Sequence, residues 1–212
     1  MTKRPIYLLS PTPKEGIISL PMISFKTVAE YLDFNDADTL IFTSKQAVKT
    51  VDMIDKRWKD YPCIAIGSAT KVQIEVLGGE VIYCPENFYG KMLSQDIATF
   101  FKGRKMLYFR PKKVSFDTKT YLQKKGISLK EQIVYETSCC TYGLKEMPEK
   151  KAIIIFTSPS TIHCFFRNFN WDESFTAVVI GESTRVHLPK EVKYVVADRP
   201  LIMSCIEKAQ LL

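Results

Sequence analysis

The amino-acid sequence predicts an α/β protein built from two doubly wound parallel-sheet domains. Short apolar runs alternate with segments of helical periodicity along most of the chain. This alternation is typical of right-handed βαβ crossovers around a parallel sheet. Two motifs also recur in one common register, which indicates a duplicated α/β unit. Two sets of strands and helices in one chain therefore predict two domains.

The duplication is visible in two motifs that keep the same spacing. The segment IFTS occurs at residues 41–44 and again at residues 155–158, 114 residues further on (155 − 41). The same offset carries IAIGSATKV, at residues 64–72, onto VVIGESTRV, at residues 178–186, without a gap. Because two separate motifs share one register, internal duplication explains them better than chance does.

The elements follow in order along each set. The first set has strands at residues 40–43, 63–66, 81–83 and 105–109, followed by helices at 45–58, 69–77, 89–101 and 115–125. The second set has strands at residues 152–157, 177–180 and 194–197, followed by helices at 162–169, 183–188 and 202–210. Each apolar run is short enough for a buried strand, and each helical segment is long enough to cross back over a sheet.

The N-terminal strand at residues 6–10 has no helix of sufficient length after it, and the second set lacks a leading strand. We therefore place this strand in the domain of the C-terminal half. The expected domains are a discontinuous one, residues 1–21 with 138–212, and an inserted one, residues 25–135. Two extended linkers, residues 19–25 and 132–137, are expected to pair antiparallel as a two-stranded β-ladder.

Composition excludes several classes of protein. With 46% hydrophobic and 25% charged residues, the chain has the balance of an ordinary globular protein. No window approaches the roughly 20 apolar residues of a membrane span, and the N-terminal apolar run is too short for a signal peptide. These features predict a cytoplasmic protein without a membrane partner.

The net charge of +7 suggests an anionic partner. Lysine and arginine are scattered, and no nucleic-acid-binding motif is present, so a small polyanionic ligand fits this charge as well as a nucleic acid does. A nucleic-acid-binding module, which rests on charge alone, is the least favoured class.

Cysteine and histidine usage does not predict a metal site. The six cysteines form no CxxC pair, which favours reduced core thiols in a cytosolic protein over disulfides. His163 and His187 are too few for a zinc site, and each is expected to pack at the surface or in the core. No metal is expected.

The repeated motifs lie where a predicted strand ends and a helix begins. Thr43-Ser44 and Thr157-Ser158 are suited to cap the helices that follow, and Gly67 and Gly181 permit either a tight turn or close backbone approach to a ligand. In open parallel sheets, ligands bind off the carboxyl ends of the strands, where helix N-termini favour anions.

The four corners are therefore expected to face one another across an interdomain cleft and to hold a ligand with several carboxylates. Neither GxGxxG nor GxxxxGK[ST] occurs, so a nucleotide phosphate is not the expected anion. Capping and turning alone remain the alternative for any single corner.

In these corners and the segments around them, the chain resembles the uroporphyrinogen-III synthase family. The matching segments are IFTSKQAV, AIGSATKVQIEVLGGEV, IVYET, IFTSPSTIHCFF and VVIGESTRVHL, in that order and across both halves. The resemblance implies two flavodoxin-like domains, one of them discontinuous, joined by a β-ladder. It also implies cyclisation of hydroxymethylbilane, a linear tetrapyrrole with an acetate and a propionate on each ring, to uroporphyrinogen III, with loss of water and inversion of the last ring. No cofactor is implied, and the protein is expected to be a monomer.

The resemblance assigns cleft contacts to the corner hydroxyls and suggests that Tyr135, in IVYET, helps the hydroxyl group depart. The predicted substrate-binding residues are Thr43, Ser44, Gly67, Ser68, Thr70, Lys71, Arg110, Thr157, Ser158, Gly181, Ser183, Thr184 and Arg185. Two departures from the family pattern are present. Only residues 11–18 separate the first strand from the outgoing linker, where a full helix is usual, and Arg110 is followed by Pro111 where glycine is usual.

A different class of protein stays open at this point. A non-catalytic two-domain binding protein for a polycarboxylate metabolite would use the same corners. Formation of uroporphyrinogen isomer III from hydroxymethylbilane separates the two hypotheses, because a binding protein leaves only the spontaneous isomer I.

Overall fold

The computed structural model describes residues 4–85, 90–114 and 116–212. Strands and helices alternate as the sequence predicts, which confirms the α/β class. The predicted first residues of two helices, 89 and 115, lie outside the described residues. The strands are β1 (Ile6–Leu8), β2 (Ile18–Ser19), β3 (Ile23–Thr27), β4 (Thr39–Phe42), β5 (Cys63–Ala65), β6 (Val81–Tyr83), β7 (Met106–Pro111), β8 (Leu129–Cys139), β9 (Ile153–Phe156), β10 (Thr176–Val179) and β11 (Tyr194–Val196). The α-helices are α1 (Lys45–Ile54), α2 (Ser68–Val76), α3 (Gly90–Phe100), α4 (Thr118–Gln123), α5 (Pro159–Asn168), α6 (Glu182–Arg185) and α7 (Ile202–Gln210).

The chain divides into two compact units. The discontinuous unit comprises Met1–Ser24 with Ser138–Leu212, and the inserted unit comprises Phe25–Thr137. None of the helices in the described ranges is long and apolar enough to cross a membrane.

The discontinuous unit contains a parallel sheet in the order β11-β10-β9-β1-β2. β1 pairs with β9 and aligns Leu8 with Ile155, although the two residues are far apart in the sequence. Numbered within the unit, the strand order is 2-1-3-4-5, which is the flavodoxin order. The direction of winding therefore reverses between β1 and β9, and the carboxyl ends of these two strands form the switch point of this sheet.

The inserted unit contains a sheet in the order β3-β8-β7-β4-β5-β6. β4 pairs in parallel with both β5 and β7, so the unit's own parallel strands run 3-2-1-4-5, the other common doubly wound order. Its switch point lies between β4 and β7. The edge strand β3 is antiparallel to β8, because Val28 N–H donates to Val134 O while Cys140 N–H donates to Met22 O, each over 3.0 Å.

The segments expected to act as linkers differ in extent from the prediction. Residues 20 and 22 still bond to the first strand, with Leu20 N–H donating to Leu8 O and Met22 N–H donating to Leu9 O. Both residues are buried, so their amides need partners, and the sheet edge supplies them. The returning strand is longer than expected, since the first half of β8 pairs with β7.

Both sheets are covered by helices on two faces, which explains why their strands are continuously apolar. In β9, Ile154 and Phe156 pack in the cluster that contains α5, whereas Ile153 and Ile155 pack in the cluster that contains α7. The inserted unit repeats this arrangement, with α1 over one face of β4 and with α3 and α4 over the other. The rigid sheets hold their strand ends in place.

The expectation that all cysteines are reduced is wrong for two of them. Cys139 and Cys164 form a disulfide, with their Cα atoms 5.2 Å apart. Cys139 ends β8 and Cys164 lies on the buried face of α5, so the fold brings together two thiols that are 25 residues apart in sequence. Spacing alone does not reveal such a pair. Cys63, Cys84, Cys140 and Cys205 are free thiols.

Candidate functional site

The strand ends of the inserted unit place hydroxyl groups at its switch point. Ser44 follows β4 and caps α1, where its Oγ accepts a hydrogen bond from Ala47 N–H over 3.0 Å. The Ser44 hydroxyl also lies 2.9 Å from the hydroxyl of Tyr135 on β8. Next to it, the Thr43 hydroxyl lies 2.8 Å from the hydroxyl of Tyr108 on β7. The IFTS corner therefore carries two Ser/Thr–Tyr pairs as well as a helix cap.

Both tyrosines are protonated at neutral pH. Burial raises the pKa of Tyr108 to about 12, and its hydrogen bond with Thr43 opposes only part of that effect. Burial also raises the pKa of Tyr135, against a smaller lowering by the hydrogen bond with Ser44. The ring of Tyr135 is fixed by an edge contact with Phe25, whose centroid is 5.5 Å away. Each phenol can therefore donate a proton or a hydrogen bond at this edge.

Tyr108 was not among the site residues predicted from the sequence. It stands inside the apolar run MLYF, where a tyrosine resembles core packing. The available signal was its position two residues before Arg110, near the carboxyl end of a central strand, where polar tips are expected at a switch point.

Arg110 lies at the end of β7 and is largely neutralised within the protein. Its Nε is 3.0 Å from Glu131 Oε2, and both side chains are mostly buried. The Nε–H does not point at the carboxylate, so this contact is electrostatic, and Nε is left without a hydrogen-bond acceptor among the described residues. Arg110 Nη1 donates to the carbonyl of Pro111 over 3.0 Å. Such an arginine contributes less free charge to a ligand than its sequence position suggests.

The second corner of the inserted unit lies next to the first. Gly67 precedes α2 and caps it without a side chain, and Ile66 N–H donates to Phe42 O over 3.0 Å, which ties the two corners together. Ser68 is exposed, whereas Thr70 is buried inside the first turn. The exposed Lys71 side chain pairs with Glu75, one turn along the helix.

The discontinuous unit repeats the first corner without tyrosines. Ser158 caps α5 and accepts from Thr161 N–H over 3.3 Å, while Pro159 occupies the first turn, as the sequence predicts. Thr157 and Ser158 are half-buried. Ser10, which follows β1 at the same switch point, is also buried and accepts from Thr12 N–H.

The second corner is repeated at the level of single hydrogen bonds. Thr184 N–H donates to Gly181 O over 3.0 Å, as Thr70 N–H does to Gly67 O. Like Thr70, Thr184 is buried, and Ser183 is exposed. Gly181 has an extended φ of 173°, and a Cβ built there would meet nothing within 4 Å.

A tight turn therefore does not require glycine at this position, although glycine is also a preferred residue for the N-cap that Gly181 provides to α6. Arg185 forms an ion pair with Glu182 and lies over the ring of Tyr194.

The structure thus groups the predicted residues at two sheet edges, one in each unit. Thr43, Ser44, Tyr135, Gly67 and Arg110 lie at the carboxyl edge of the inserted sheet, and Thr157, Ser158 and Gly181 lie at that of the discontinuous sheet. Within the described residues, no three histidine, cysteine or acidic side chains are close enough to hold a metal ion.

The fold and these edges define a class: a protein of two doubly wound sheets, each of which presents hydroxyls and helix N-termini at its switch point, as anion-binding α/β proteins do. Residues 15–207 match a family described as "Uroporphyrinogen-III synthase HemD". The chain therefore belongs to the uroporphyrinogen-III synthase family, the cyclising lyases of haem biosynthesis.

Solved structures agree with this assignment. A uroporphyrinogen-III synthetase from Helicobacter pylori 26695 is 25% identical, with a TM-score of 0.81 over 97% of this chain and 98% of that chain. A mutant uroporphyrinogen III synthase from the extremely thermophilic bacterium Thermus thermophilus is 12% identical, with a TM-score of 0.57 over 98% of both chains, and supports the fold alone. Among curated proteins, none matches the chain.

Proposed function

We propose that this protein cyclises hydroxymethylbilane to uroporphyrinogen III and that the inserted unit supplies the proton donor. The observation that carries the proposal is the 2.9 Å hydrogen bond between Tyr135 and Ser44 at the carboxyl edge of the inserted sheet. It places a protonated phenol beside a corner where a polycarboxylate is expected to bind.

The direction of this hydrogen bond matters for the chemistry. Ser44 Oγ already accepts from Ala47 N–H, so the serine hydroxyl is free to donate to Tyr135. In that arrangement the Tyr135 O–H points away from Ser44 and can donate to the hydroxyl of the substrate. Each bond in such a chain polarises the next, which makes the phenol a better donor than its raised pKa alone suggests.

The reaction needs this donor at one step only. The hydroxyl of the hydroxymethyl group on the first ring leaves as water when Tyr135 donates a proton to it, and the pyrrole nitrogen of that ring stabilises the cationic methylene carbon that remains. The last ring then attacks through its substituted carbon to form a spiro intermediate, which fragments and closes again with the ring inverted. Closure releases one proton, whose return to Tyr135 restores the phenol. Holding the chain in this geometry is a proximity effect that contributes several kcal/mol.

The remaining predicted residues are proposed to bind the substrate carboxylates. Helix N-termini carry about half a positive charge, and α1, α2 and α5 are capped by Ser44, Gly67 and Ser158. Backbone amides at several corners share the binding, so no single hydroxyl is expected to be indispensable.

We also propose that residues 1–21 with 138–212 and residues 25–135 act as two domains, supported by the two compact units.

The deciding experiment incubates the protein with freshly prepared hydroxymethylbilane and resolves the porphyrin isomers after oxidation. Isomer III in excess of the protein concentration supports the proposal. Isomer I alone, at the spontaneous rate, favours the polycarboxylate-binding protein.

Two accompanying proposals are that the protein is a monomer and that it acts in the cytoplasm. Size-exclusion chromatography tests the first, and cell fractionation tests the second.

A further inference from the structure

A pocket in the discontinuous unit, which begins at Pro159 next to the Ser158 corner and extends along α5, brings together both histidines of the chain. It has a volume of about 360 Å³, within the usual size of small-molecule sites. Its lining residues are Pro159, Ile162, His163, Phe166, Arg167, His187 and Pro189. From the sequence, each histidine was expected to pack at the surface or in the core, and 24 positions separate the two (187 − 163).

One face of α5 forms the larger wall of this pocket. Its five lining residues from that helix follow the spacing of a single helical stripe, at positions i, i+3, i+4, i+7 and i+8. Ile162 is buried, and the ring of Phe166 is stacked on Trp171 at 6.1 Å. The apolar part of the wall is therefore rigid and presents an aromatic ring, which suits a planar ligand.

The segment after α6 forms the opposite wall. His187 N–H donates to Thr184 O, and Val192 N–H donates to Pro189 O, so this short segment is held by backbone hydrogen bonds. It presents the imidazole of His187 and the ring of Pro189 toward the stripe on α5. Both walls are thus fixed before any ligand binds.

The Arg167 guanidinium gives the pocket a positive charge that no acidic lining residue compensates. Of the described residues that line it, none is acidic, and His163, Arg167 and His187 take part in no ion pair with any described residue. Among the described residues, the one hydrogen-bond acceptor of the Arg167 guanidinium is the sulfur of Cys139, at 3.8 Å, and this sulfur is a weak acceptor. Its planar fork is available for a carboxylate.

We propose that this pocket binds a planar ring that bears a carboxylate side chain, with the ring against Phe166 and Pro189 and the carboxylate on Arg167 and the two imidazoles. A pyrrole with an acetate and a propionate is the ring type of the substrate named above, and choosing it as the probe rests on the proposed function. The pocket itself rests on its shape and charge.

The test uses the two histidines as reporters. The full-length protein is titrated with a monopyrrole that carries one acetate and one propionate, and the two imidazole Cε1–H signals are followed by NMR. Both signals should shift in a saturable way with one common dissociation constant. The diethyl ester of the same pyrrole, which keeps the ring and removes both charges, should shift neither signal. Single substitutions His163→Gln and His187→Gln assign the signals.

A matched pair of arginine variants measures the charge contribution. Arg167→Gln should weaken binding about tenfold, because a charge-assisted contact with the carboxylate is lost. Arg199→Gln removes an exposed arginine of the same unit that does not line the pocket, and should leave the affinity within about twofold of the parent protein. Unshifted histidine signals, equal binding of the diester, or equal effects of the two arginine variants would each overturn the proposal.

Measurement of isomer III on the same samples keeps the two proposals distinct. Isomer III without histidine shifts overturns the pocket and leaves the proposed function standing. Histidine shifts with the expected arginine dependence, but only isomer I, overturn the proposed function and leave the pocket standing.

Discussion

Replacing Tyr135 by phenylalanine tests the proposed proton donor with little disturbance of the fold. The substitution keeps the ring, which is 5% exposed and packs against Phe25, and removes only the hydroxyl. The lost hydrogen bond to Ser44 should lower the free energy of unfolding by about 0.5–1.5 kcal/mol, toward the lower end because the half-exposed Ser44 can bond to water instead. The variant should therefore remain folded at room temperature.

The effect on catalysis should be larger than the effect on stability. A positioned general acid contributes about 10²–10⁴-fold to a rate, so kcat of Tyr135→Phe should fall about 10²-fold, while KM changes little and isomer III remains the product. Steady-state kinetics with hydroxymethylbilane measure kcat and KM, and analysis of the isomers at each time identifies the product. Loss of ring inversion, in contrast, would show that Tyr135 holds the geometry.

Tyr142→Phe is the matched control. This tyrosine also has a pKa raised by burial and donates one hydrogen bond, over 2.8 Å to Pro21 O, but it lies away from the strand ends. Its substitution should lower stability by a similar amount and leave kcat unchanged. If Tyr135→Phe keeps the kcat of the parent protein, or if both variants lose activity equally, the hydroxyl of Tyr135 is not the donor.

Three further predictions address the caps, the buried phenols and the disulfide. Ser44→Ala and Ser158→Ala each remove a helix cap and should lower the free energy of unfolding by about 1 kcal/mol in urea titrations. Only Ser44→Ala, which also breaks the hydrogen bond to Tyr135, should lower kcat. Equal kcat values for the two variants would contradict the assignment of the chemistry to the inserted unit. Burial raises the folded-state pKa of Tyr108 to about 12 from 10.0, so the contribution of its protonated phenol to stability is complete below pH 10 and is lost as the pH rises through 12. The free energy of unfolding, measured by urea titration, should therefore fall between pH 10 and pH 12. The fall should be smaller in Tyr108→Phe. The Cys139–Cys164 disulfide closes a loop of 25 residues, so its reduction should lower the free energy of unfolding by about 3–4 kcal/mol in the chain-entropy model. Urea unfolding with and without dithiothreitol measures this change. An unchanged midpoint would exclude a stabilising disulfide.

The sequence was sufficient to predict the α/β class because the strands are buried on both faces and therefore read as apolar runs between amphipathic helices. It predicted the caps at Ser44 and Ser158 for a local reason, since capping involves residues only three positions apart. The alternation of strands and helices alone does not predict the strand orders, because identical βαβ units can be added on either side of the first strand. The flavodoxin-like domains that the resemblance implies have the order found in the discontinuous unit.

Long-range contacts account for what the sequence analysis missed. Ser44 and Tyr135 are 91 positions apart, and Thr43 and Tyr108 are 65 apart, so their hydroxyl pairs become apparent only when β4, β7 and β8 are adjacent. The neutralisation of Arg110 by Glu131 has the same origin, since it depends on the pairing of β7 with β8. Residues that are ordinary in their local context acquire a role through strand pairing.

Comparison of equivalent positions explains why one unit is assigned the chemistry. Across the switch point, Tyr108 is aligned with Ile41 in the inserted unit, and Leu8 is aligned with Ile155 in the discontinuous unit. Because residues 41 and 155 are equivalent in the repeat, Leu8 occupies the place of Tyr108. The two copies have thus kept the same corners, with the same caps and the same glycine–threonine turns, and differ in the strand beside them.

An apolar side chain at that place can shape a binding surface but cannot donate a proton. The corner of the discontinuous unit, whose hydroxyls are bonded locally within residues 10–12 and 158–161, is therefore suited to binding alone. The inserted unit adds two buried phenols to the same corner, and one of them is linked through Ser44 to the first turn of α1. The proposed reaction, in which one hydroxyl group departs, needs a proton donor in a single copy of the duplicated edge, and the inserted unit is the copy that has phenols there.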